Sequence, residues 1–130
     1  MEISVSTSAP IEVVDVTERV EGAVGDDVES GVATVFVSHT TAAVVVNEAE
    51  PRLVEDIEEF VDGLVPDDGR YRHDEIDDNA AAHLRATLLG ESVAVPVEDG
   101  RLALGTWQSI LFVECDGPRS RRLSVTVTES

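Results

Sequence analysis

Lysine is absent from this sequence. All nine basic residues are arginines, and they stand against 27 aspartates and glutamates, so the 130-residue chain has a formal net charge of −18. A field of that sign repels the phosphates of nucleic acids and the anionic surface of membranes. The composition therefore argues against a protein that binds either partner through its phosphates.

The distribution of the acidic residues has two interpretations. They are scattered along the sequence and are not gathered in one tail. One interpretation is an acidic interaction protein that mimics a polyanion. The other is a cytoplasmic protein of an extreme halophile, in which carboxylates hold water while molar salt shortens the Debye length to about 3 Å. The scatter and the missing lysine favour the halophile.

Cysteine and aromatic residues are scarce as well. Cys115 is the only cysteine, which excludes an internal disulfide framework. Three Phe, one Tyr and one Trp leave the core to Val, Leu, Ile and Ala. No apolar run approaches the ~18 residues of a membrane span, and MEISVSTSAPIEVV lacks the basic start and apolar stretch of a signal peptide. We expect a soluble, cytoplasmic protein.

Strands are predicted early and late in the chain, with helices between them. The pattern predicts strands near 2–8 and 11–16, a helix that begins at Thr17, and one long strand over 32–47. Helices follow from Pro51 as far as Pro66 and over about 79–89. The last predicted strands cover about 92–97, 101–115 with a break near Gly105, and 120–128. Because no regular β-α-β alternation occurs, this order indicates an α+β fold with a largely antiparallel sheet covered by helices, in one domain over residues 1–130.

The three histidines are the first candidates for a functional site. His39 interrupts the predicted long strand in FVSHTTAAVVVNE (36–48), where a buried imidazole needs a partner. His73 lies in a polar loop. His83 belongs to a helical stripe whose spacing predicts that it faces the core, formed by Ala80, His83, Leu84, Thr87 and Leu88.

Each histidine taken alone is explained as a core or surface residue. Three neutral imidazoles taken together are the ligand set of a zinc or similar divalent site that keeps one position open. No local HxxxH or CxxC spacing supports that interpretation.

Carboxylates form a second group of candidates. Strand alternation in LFVECDG places Phe112, Glu114 and Asp116 on one face, and Asn47 and Glu48 end the earlier strand. Such groups can orient a metal-bound imidazole or transfer a proton. Solvated carboxylates in an acidic protein explain them equally well.

The segment GPRSRR concentrates positive charge in a chain that has little of it. Arg119 and Arg121 share a strand face, and two guanidinium groups can hold one phosphate or carboxylate. The other interpretation is that both neutralise neighbouring carboxylates such as Glu114 and Asp116.

Four segments in this order, SHTTAAVVVNE, RHDEIDDNAAAHL, LLGESVAVPVEDGRLALGTWQ and ECDGPRSR, resemble the YjbQ-like family of secondary thiamine-phosphate synthases. The similarity runs from about Gly31 to Val127, whereas the first thirty residues match only loosely. The resemblance implies a compact α+β sandwich-like domain that assembles as a homotrimer, with sites near subunit interfaces.

The resemblance also implies a reaction and a metal. The reaction joins an aminopyrimidine pyrophosphate to a thiazole phosphate with loss of pyrophosphate, and the divalent ion, zinc or magnesium, falls on His39, His73 and His83. On this basis we assign catalytic roles to Glu114, Asn79 and Glu48. We assign substrate contacts to a larger polar set: Arg119, Arg121, Thr40, Thr41, Asn47, Trp107 and Gln108.

Two other classes of function stay open. A metal-dependent hydrolase of small phosphate esters uses the same histidines with a metal-bound hydroxide. A non-catalytic acidic interaction protein predicts no metal and no effect of histidine substitutions on function.

Overall fold

Eight strands and three helices make up the fold in the computed structural model, which describes all of residues 1–130. In chain order the elements are β1 (Glu2–Ser6), β2 (Glu12–Asp15), α1 (Thr17–Val24), β3 (Gly31–Val37), β4 (Ala42–Asn47), α2 (Pro51–Leu64), a 3₁₀ turn (Arg72–Glu75), α3 (Ala80–Leu89), β5 (Ser92–Glu98), β6 (Arg101–Leu102), β7 (Ser109–Glu114) and β8 (Ser120–Glu129). No helix is long and apolar enough to cross a membrane.

The strands form two sheets. The larger sheet has the order β1-β8-β3-β5-β6 and the smaller one β2-β7-β4, and every pair is antiparallel. The α+β class with a sandwich-like, helix-covered antiparallel architecture is therefore confirmed.

Two apolar cores hold three layers together. Val35 and Leu123 of the larger sheet belong to one buried cluster with Phe112 of β7. On the opposite face of β7, Leu111 packs in a second cluster with Val61 of α2 and other small apolar residues. Strand β7 is thus buried on both faces, which explains why its apolar run is continuous.

The prediction of one long strand over 32–47 is wrong. Strand β3 ends at Val37 in the larger sheet, and β4 begins at Ala42 in the smaller one. Residues 38–41 cross between the sheets. A continuous apolar run is compatible with either arrangement, and only the packing of two sheets decides that the polar SHTT segment is a corner. The correction places His39 at that crossover.

The buried stripe predicted for α3 is also wrong. Leu84 is 44% exposed, Leu88 is 67% exposed and His83 is half-buried. The buried side chains are instead four alanines and one arginine: Ala80, Ala81, Ala82, Arg85 and Ala86. Short alanines let the helix lie close to β4, so small size and not hydrophobicity selects the packed face.

Arg85 is buried because its guanidinium caps the C-terminal end of α2. Its guanidinium donates to the carbonyls of Val61 at 3.0 Å, Asp62 at 2.8 Å and Val65 at 2.6 Å. These carbonyls lie in the last turn and just after it, where helical partners are missing. The break predicted near Gly105 in the strand over 101–115 is confirmed, since residues 103–108 separate β6 from β7.

Candidate functional site

A pocket of about 450 Å³ opens where β3 leaves the larger sheet. His39 and Thr40 of the crossover line one side, and His83 of α3 lines another. Phe36 and Glu91, at the neighbouring ends of β3 and β5, complete the wall together with small apolar groups. The structure therefore brings two of the three histidines to one cavity, although 44 residues separate them in the sequence.

His39 is held by the backbone of β8. Its Nε2 atom accepts a hydrogen bond from the N–H of Arg122 at 2.9 Å. Burial and then the positive charge of Arg121 lower the pKa of His39, although the charge of Glu114 raises it in part. The ring is therefore held in its neutral form more strongly than a free histidine.

His73 lies at the edge of the same group. The rings of His73 and His83 meet edge to face, with 4.7 Å between their centroids. The Nε2 atom of His73 is 3.1 Å from Oδ1 of Asn79, and Nδ2 of Asn79 donates to Oδ2 of Asp116 at 3.1 Å. The three histidines thus form a row, from His39 across the pocket to His83 and on to His73.

A buried ion pair lies beneath the crossover. Glu114 is fully buried and Arg121 is 4% exposed. Nε of Arg121 lies 2.9 and 3.2 Å from the two carboxylate oxygens, and its Nη2 donates to Oε2 of Glu114 and, at 2.9 Å, to the hydroxyl of Thr41. The hydroxyl of Thr7 and the N–H of Asp116 also donate hydrogen bonds to the Glu114 carboxylate, at 2.7 and 3.0 Å.

Burial pushes the pKa of Glu114 upward, but the hydrogen bonds from Arg121, Thr7 and the Asp116 backbone outweigh it, so the pKa lies below its usual value. The carboxylate is therefore ionised at neutral pH, and its charge is matched inside the protein. This network connects β1, β4, β7 and β8 at the point where His39 is held.

Arg119 and Arg121 of GPRSRR have different partners. Arg119 donates from Nη2 to Oδ2 of Asp116 at 3.0 Å, and its side chain is 52% exposed, whereas Arg121 pairs with Glu114 in the interior. Arg119 and Arg121 thus each pair with a neighbouring carboxylate, as the interpretation that they neutralise Asp116 and Glu114 predicts. Of these two residues, only Arg119 has a guanidinium that solvent reaches freely, so the assignment of both to one phosphate stays a prediction.

Four of the predicted substrate or catalytic residues lie at the far end of the smaller sheet. Thr41 directly precedes β4, whereas Asn47 ends it and pairs with Ser109. Glu48 follows Asn47, and Trp107, which is 72% exposed, and Gln108 precede β7. Six residues of strand span about 20 Å. Within one chain, this second group is therefore separate from the histidine pocket.

The donor set suits a divalent metal in its chemistry, because neutral imidazoles bind zinc. The arrangement in one chain does not suit it, since no group of three or more His, Cys, Asp or Glu side chains is placed to hold a metal ion. The lone pair on Nε2 of His39 is moreover engaged by the N–H of Arg122. The metal therefore stays a prediction.

Sequence reasoning missed Thr7 and Gly117. Thr7 is buried and bridges Glu114 to the N–H of Arg119, but it lies in the part of the chain with the loosest resemblance. A Cβ atom on Gly117 would stand 2.2 Å from the carbonyl oxygen of Ala9 and 2.8 Å from Cγ of Glu114. Glycine after ECD was the one available signal that a backbone passes close to this carboxylate.

Comparison with known proteins gives consistent relatives over nearly the whole chain. The family model described as UPF0047 protein YjbQ-like matches residues 1–130. A UPF0047 protein of Archaeoglobus fulgidus is 54% identical over 96% of this chain and 98% of its own length. UPF0047 protein YugU of Bacillus subtilis is 38% identical over 92% of this chain and 91% of its own.

Solved structures agree with the fold described above. A hypothetical protein from Aeropyrum pernix K1 superposes with a TM-score of 0.96 at 47% identity, covering 100% of this chain and 98% of that one. A YbjQ-like protein of unknown function from Sulfolobus solfataricus gives a TM-score of 0.95 at 42% identity, with coverage of 100% and 96%. The resemblance found in the sequence is confirmed, and the chain belongs to the YjbQ-like UPF0047 family.

Proposed function

We propose that the histidine pocket binds a phosphorylated small molecule and that the protein is a transferase of the thiamine-phosphate synthase type. The observation that carries the proposal is the convergence of His39 and His83 on one cavity of about 450 Å³. Cavities of about 300–1,000 Å³ are the usual size for small-molecule sites. Apolar walls with a few convergent polar groups suit a flat heterocycle that carries a charged phosphate.

The proposed reaction joins the ring nitrogen of a thiazole phosphate to the methylene carbon of an aminopyrimidine pyrophosphate. The new C–N bond forms as the C–O bond to pyrophosphate breaks, so the chief demand is stabilisation of the departing anion. The charges of Arg121 and Arg122 both reach His39, because each lowers the pKa of that imidazole. Because Arg121 is buried and paired with Glu114, His39 and the exposed Arg122 are the groups available to receive the pyrophosphate.

We further propose that the protein acts as a homotrimer in a halophilic cytoplasm, with the pocket at the subunit boundary. The outer face of the three central strands of the larger sheet supports this. It holds twelve solvent-facing residues and only one carboxylate, that of Glu98 at the end of β5, although about one residue in five of the chain is acidic. These residues are Val32, Thr34, Phe36, Ser92, Ala94, Pro96, Glu98, Ser120, Arg122, Ser124, Thr126 and Thr128.

A second copy is the occupant that fits this face. Elsewhere the surface of a chain with net charge −18 repels another copy, whereas this face does not. Phe36, 43% exposed, lies both on the face and in the wall of the pocket. A copy packed there would close the pocket and bring its own side chains to it.

Light scattering after size-exclusion chromatography in molar KCl tests the assembly. The wild type is expected at three times the 13.9 kDa chain mass. Phe36→Glu is expected as a monomer, whereas Phe60→Glu, which alters a 64% exposed phenylalanine on α2, is expected to stay trimeric. A monomeric wild type, or a trimeric Phe36→Glu variant with an unchanged circular dichroism spectrum, would contradict this interface.

Formation of thiamine phosphate by the pure protein in molar KCl tests the reaction, with and without added magnesium or zinc. His39→Ala and His83→Ala are expected to lower turnover on the order of 100-fold, as loss of one anion-stabilising group does. Leu88→Ala, on the exposed face of α3, is the control and is expected to keep full activity. Hydrolysis of a generic phosphate ester without condensation would favour the hydrolase instead, and no turnover of either kind by folded protein would refute the proposed reaction.

A further inference from the structure

The orientation of the Asn79 amide follows from its partner. Asp116 is an ion-pair partner of Arg119 at 3.0 Å, and an ionised carboxylate only accepts hydrogen bonds. The Asn79 atom that faces it at 3.1 Å must therefore be the NH₂ group, so the amide oxygen faces His73. An oxygen accepts, and thus Nε2 of His73 must carry the proton. In the neutral ring, the lone pair of His73 is then on Nδ1.

The tautomer of His39 is fixed as well, and it is the opposite of the His73 tautomer. Its Nε2 atom faces the backbone N–H of Arg122 at 2.9 Å, and a backbone N–H can only donate. The lone pair of His39 is therefore on Nε2 and, in the neutral ring, the proton is on Nδ1.

The Nδ1 atom of His39 is open to solvent. It has no hydrogen-bond partner within the chain, and no buried side-chain nitrogen or oxygen of the protein lacks a partner. An unpartnered atom of this half-buried residue must therefore be reached by solvent. Because His39 lines the pocket, its N–H is a donor available to a ligand there.

We propose that His39 binds an acceptor oxygen of a phosphate or pyrophosphate group through Nδ1–H, and that Asn79 and Asp116 are positioning residues that keep the lone pair of His73 on Nδ1. The row of imidazoles then has one fixed donor at His39 and one fixed acceptor at His73. The imidazole of His83, which lines the pocket with His39 and contacts the ring of His73, makes no hydrogen bond within the chain and is free to adopt either tautomer. The phosphate class of ligand rests on the proposed function, whereas the two tautomers rest on the hydrogen bonds alone.

Long-range ¹H–¹⁵N correlation spectra of uniformly ¹⁵N-labelled protein at about pH 8, where an imidazole is neutral, report directly which ring nitrogen carries the proton. The chain has only three histidines, so His39→Gln, His73→Gln and His83→Gln assign every signal. We expect a protonated Nδ1 for His39 and a protonated Nε2 for His73. A protonated Nε2 on His39, or a protonated Nδ1 on His73, would overturn the corresponding assignment.

Asp116→Asn separates a positioning role from a merely structural one. With an amide in place of the carboxylate, Asn79 is free to turn, so the His73 signals are expected to move toward a mixture of both tautomers while those of His39 stay unchanged. The conservative Asp116→Glu variant is expected to restore the single tautomer of His73. An unaltered His73 in Asp116→Asn would show that Asp116 does not position it.

Titration with inorganic pyrophosphate tests the ligand class in the same spectra. A saturable shift of the His39 Nδ1 signal is expected, and its absence would refute the donor role. Zinc is the second probe, and loss of the His39 signal at stoichiometric zinc would show a metal ligand in place of a phosphate donor. Pyrophosphate binding at His39 in a protein that forms no thiamine phosphate would sink the proposed reaction and leave this inference standing.

Discussion

Replacing Arg121 by methionine is expected to destabilise the protein strongly. The substitution keeps a long apolar stem but removes the guanidinium that faces Glu114, whose side chain is fully buried. Glu114 retains only the hydrogen bonds from Thr7 and from the backbone of Asp116. An ionised carboxylate then stays in the interior with no counter-charge.

The expected loss of folding free energy is about 3–5 kcal/mol, the usual cost of removing one partner of a buried ion pair. Domains of this size are stable by only about 5–15 kcal/mol, so the variant would lose a large share of its stability. Arg119→Met is the matched control, because that guanidinium is 52% exposed and its pair with Asp116 lies at the surface. Exposed pairs contribute about 0–1 kcal/mol.

Equilibrium unfolding in urea at constant salt measures both values. The loss of stability in Arg121→Met should also depend on pH. Burial alone raises the pKa of a carboxyl, so without Arg121 the pKa of Glu114 rises and the group takes up a proton more readily in the folded state. The stability difference between wild type and Arg121→Met should therefore shrink as the pH falls from neutrality toward 4.5, the ordinary pKa of glutamate. Equal losses for Arg121→Met and Arg119→Met would refute the claim that the buried pair holds this corner.

Three further predictions concern the surface and single groups. The pKa of the folded-state His39 lies below 6.5, so the contribution of its neutral form to stability should be complete above that pH and should fall as the pH drops from 6.5 through the folded-state pKa. The free energy of unfolding of His39→Gln, measured in urea, should therefore fall less steeply below pH 6.5 than that of the wild type. Burial raises the pKa of the Cys115 thiol to about 11, so iodoacetamide at about pH 8 should leave the folded protein unmodified and alkylate it only in denaturant; rapid alkylation of the folded protein would contradict the buried placement. A net charge of −18 should make the melting temperature rise steadily as KCl is raised toward molar concentrations, and a melting temperature indifferent to salt would count against a halophilic protein.

Local patterns in the sequence were sufficient for most elements. Pro51 begins α2 and Gly90 follows α3, as the preferences of helix ends predict. The Asp-Gly turn after β5 has Asp99 and Gly100 at positive φ, which is the conformation that this pair favours. These features were predictable because each depends on a few neighbouring residues.

The errors came from contacts between distant segments. The apolar run over 32–47 has the same appearance whether it forms one strand or two, and only the packing of two sheets makes residues 38–41 a crossover. The face of α3 was misjudged because leucines outweigh alanines in any hydrophobicity pattern, although close approach to β4 requires the alanines. Arg85 and Thr7 gave no local sign that they are buried.

The sequence by itself determined the family, the α+β class, the acidity and the three histidines as candidates, because each is a matter of composition, motif or short-range pattern. The tertiary structure alone decided that His39 and His83 share one pocket, that Glu114 and Arg121 pair inside the protein, and that Asn47, Glu48, Trp107 and Gln108 lie at the far end of the smaller sheet. The physical reason is that a hydrogen bond or ion pair depends on a distance of about 3 Å between atoms. Residues 44 positions apart in the chain reach that proximity only through the packing of whole sheets and helices.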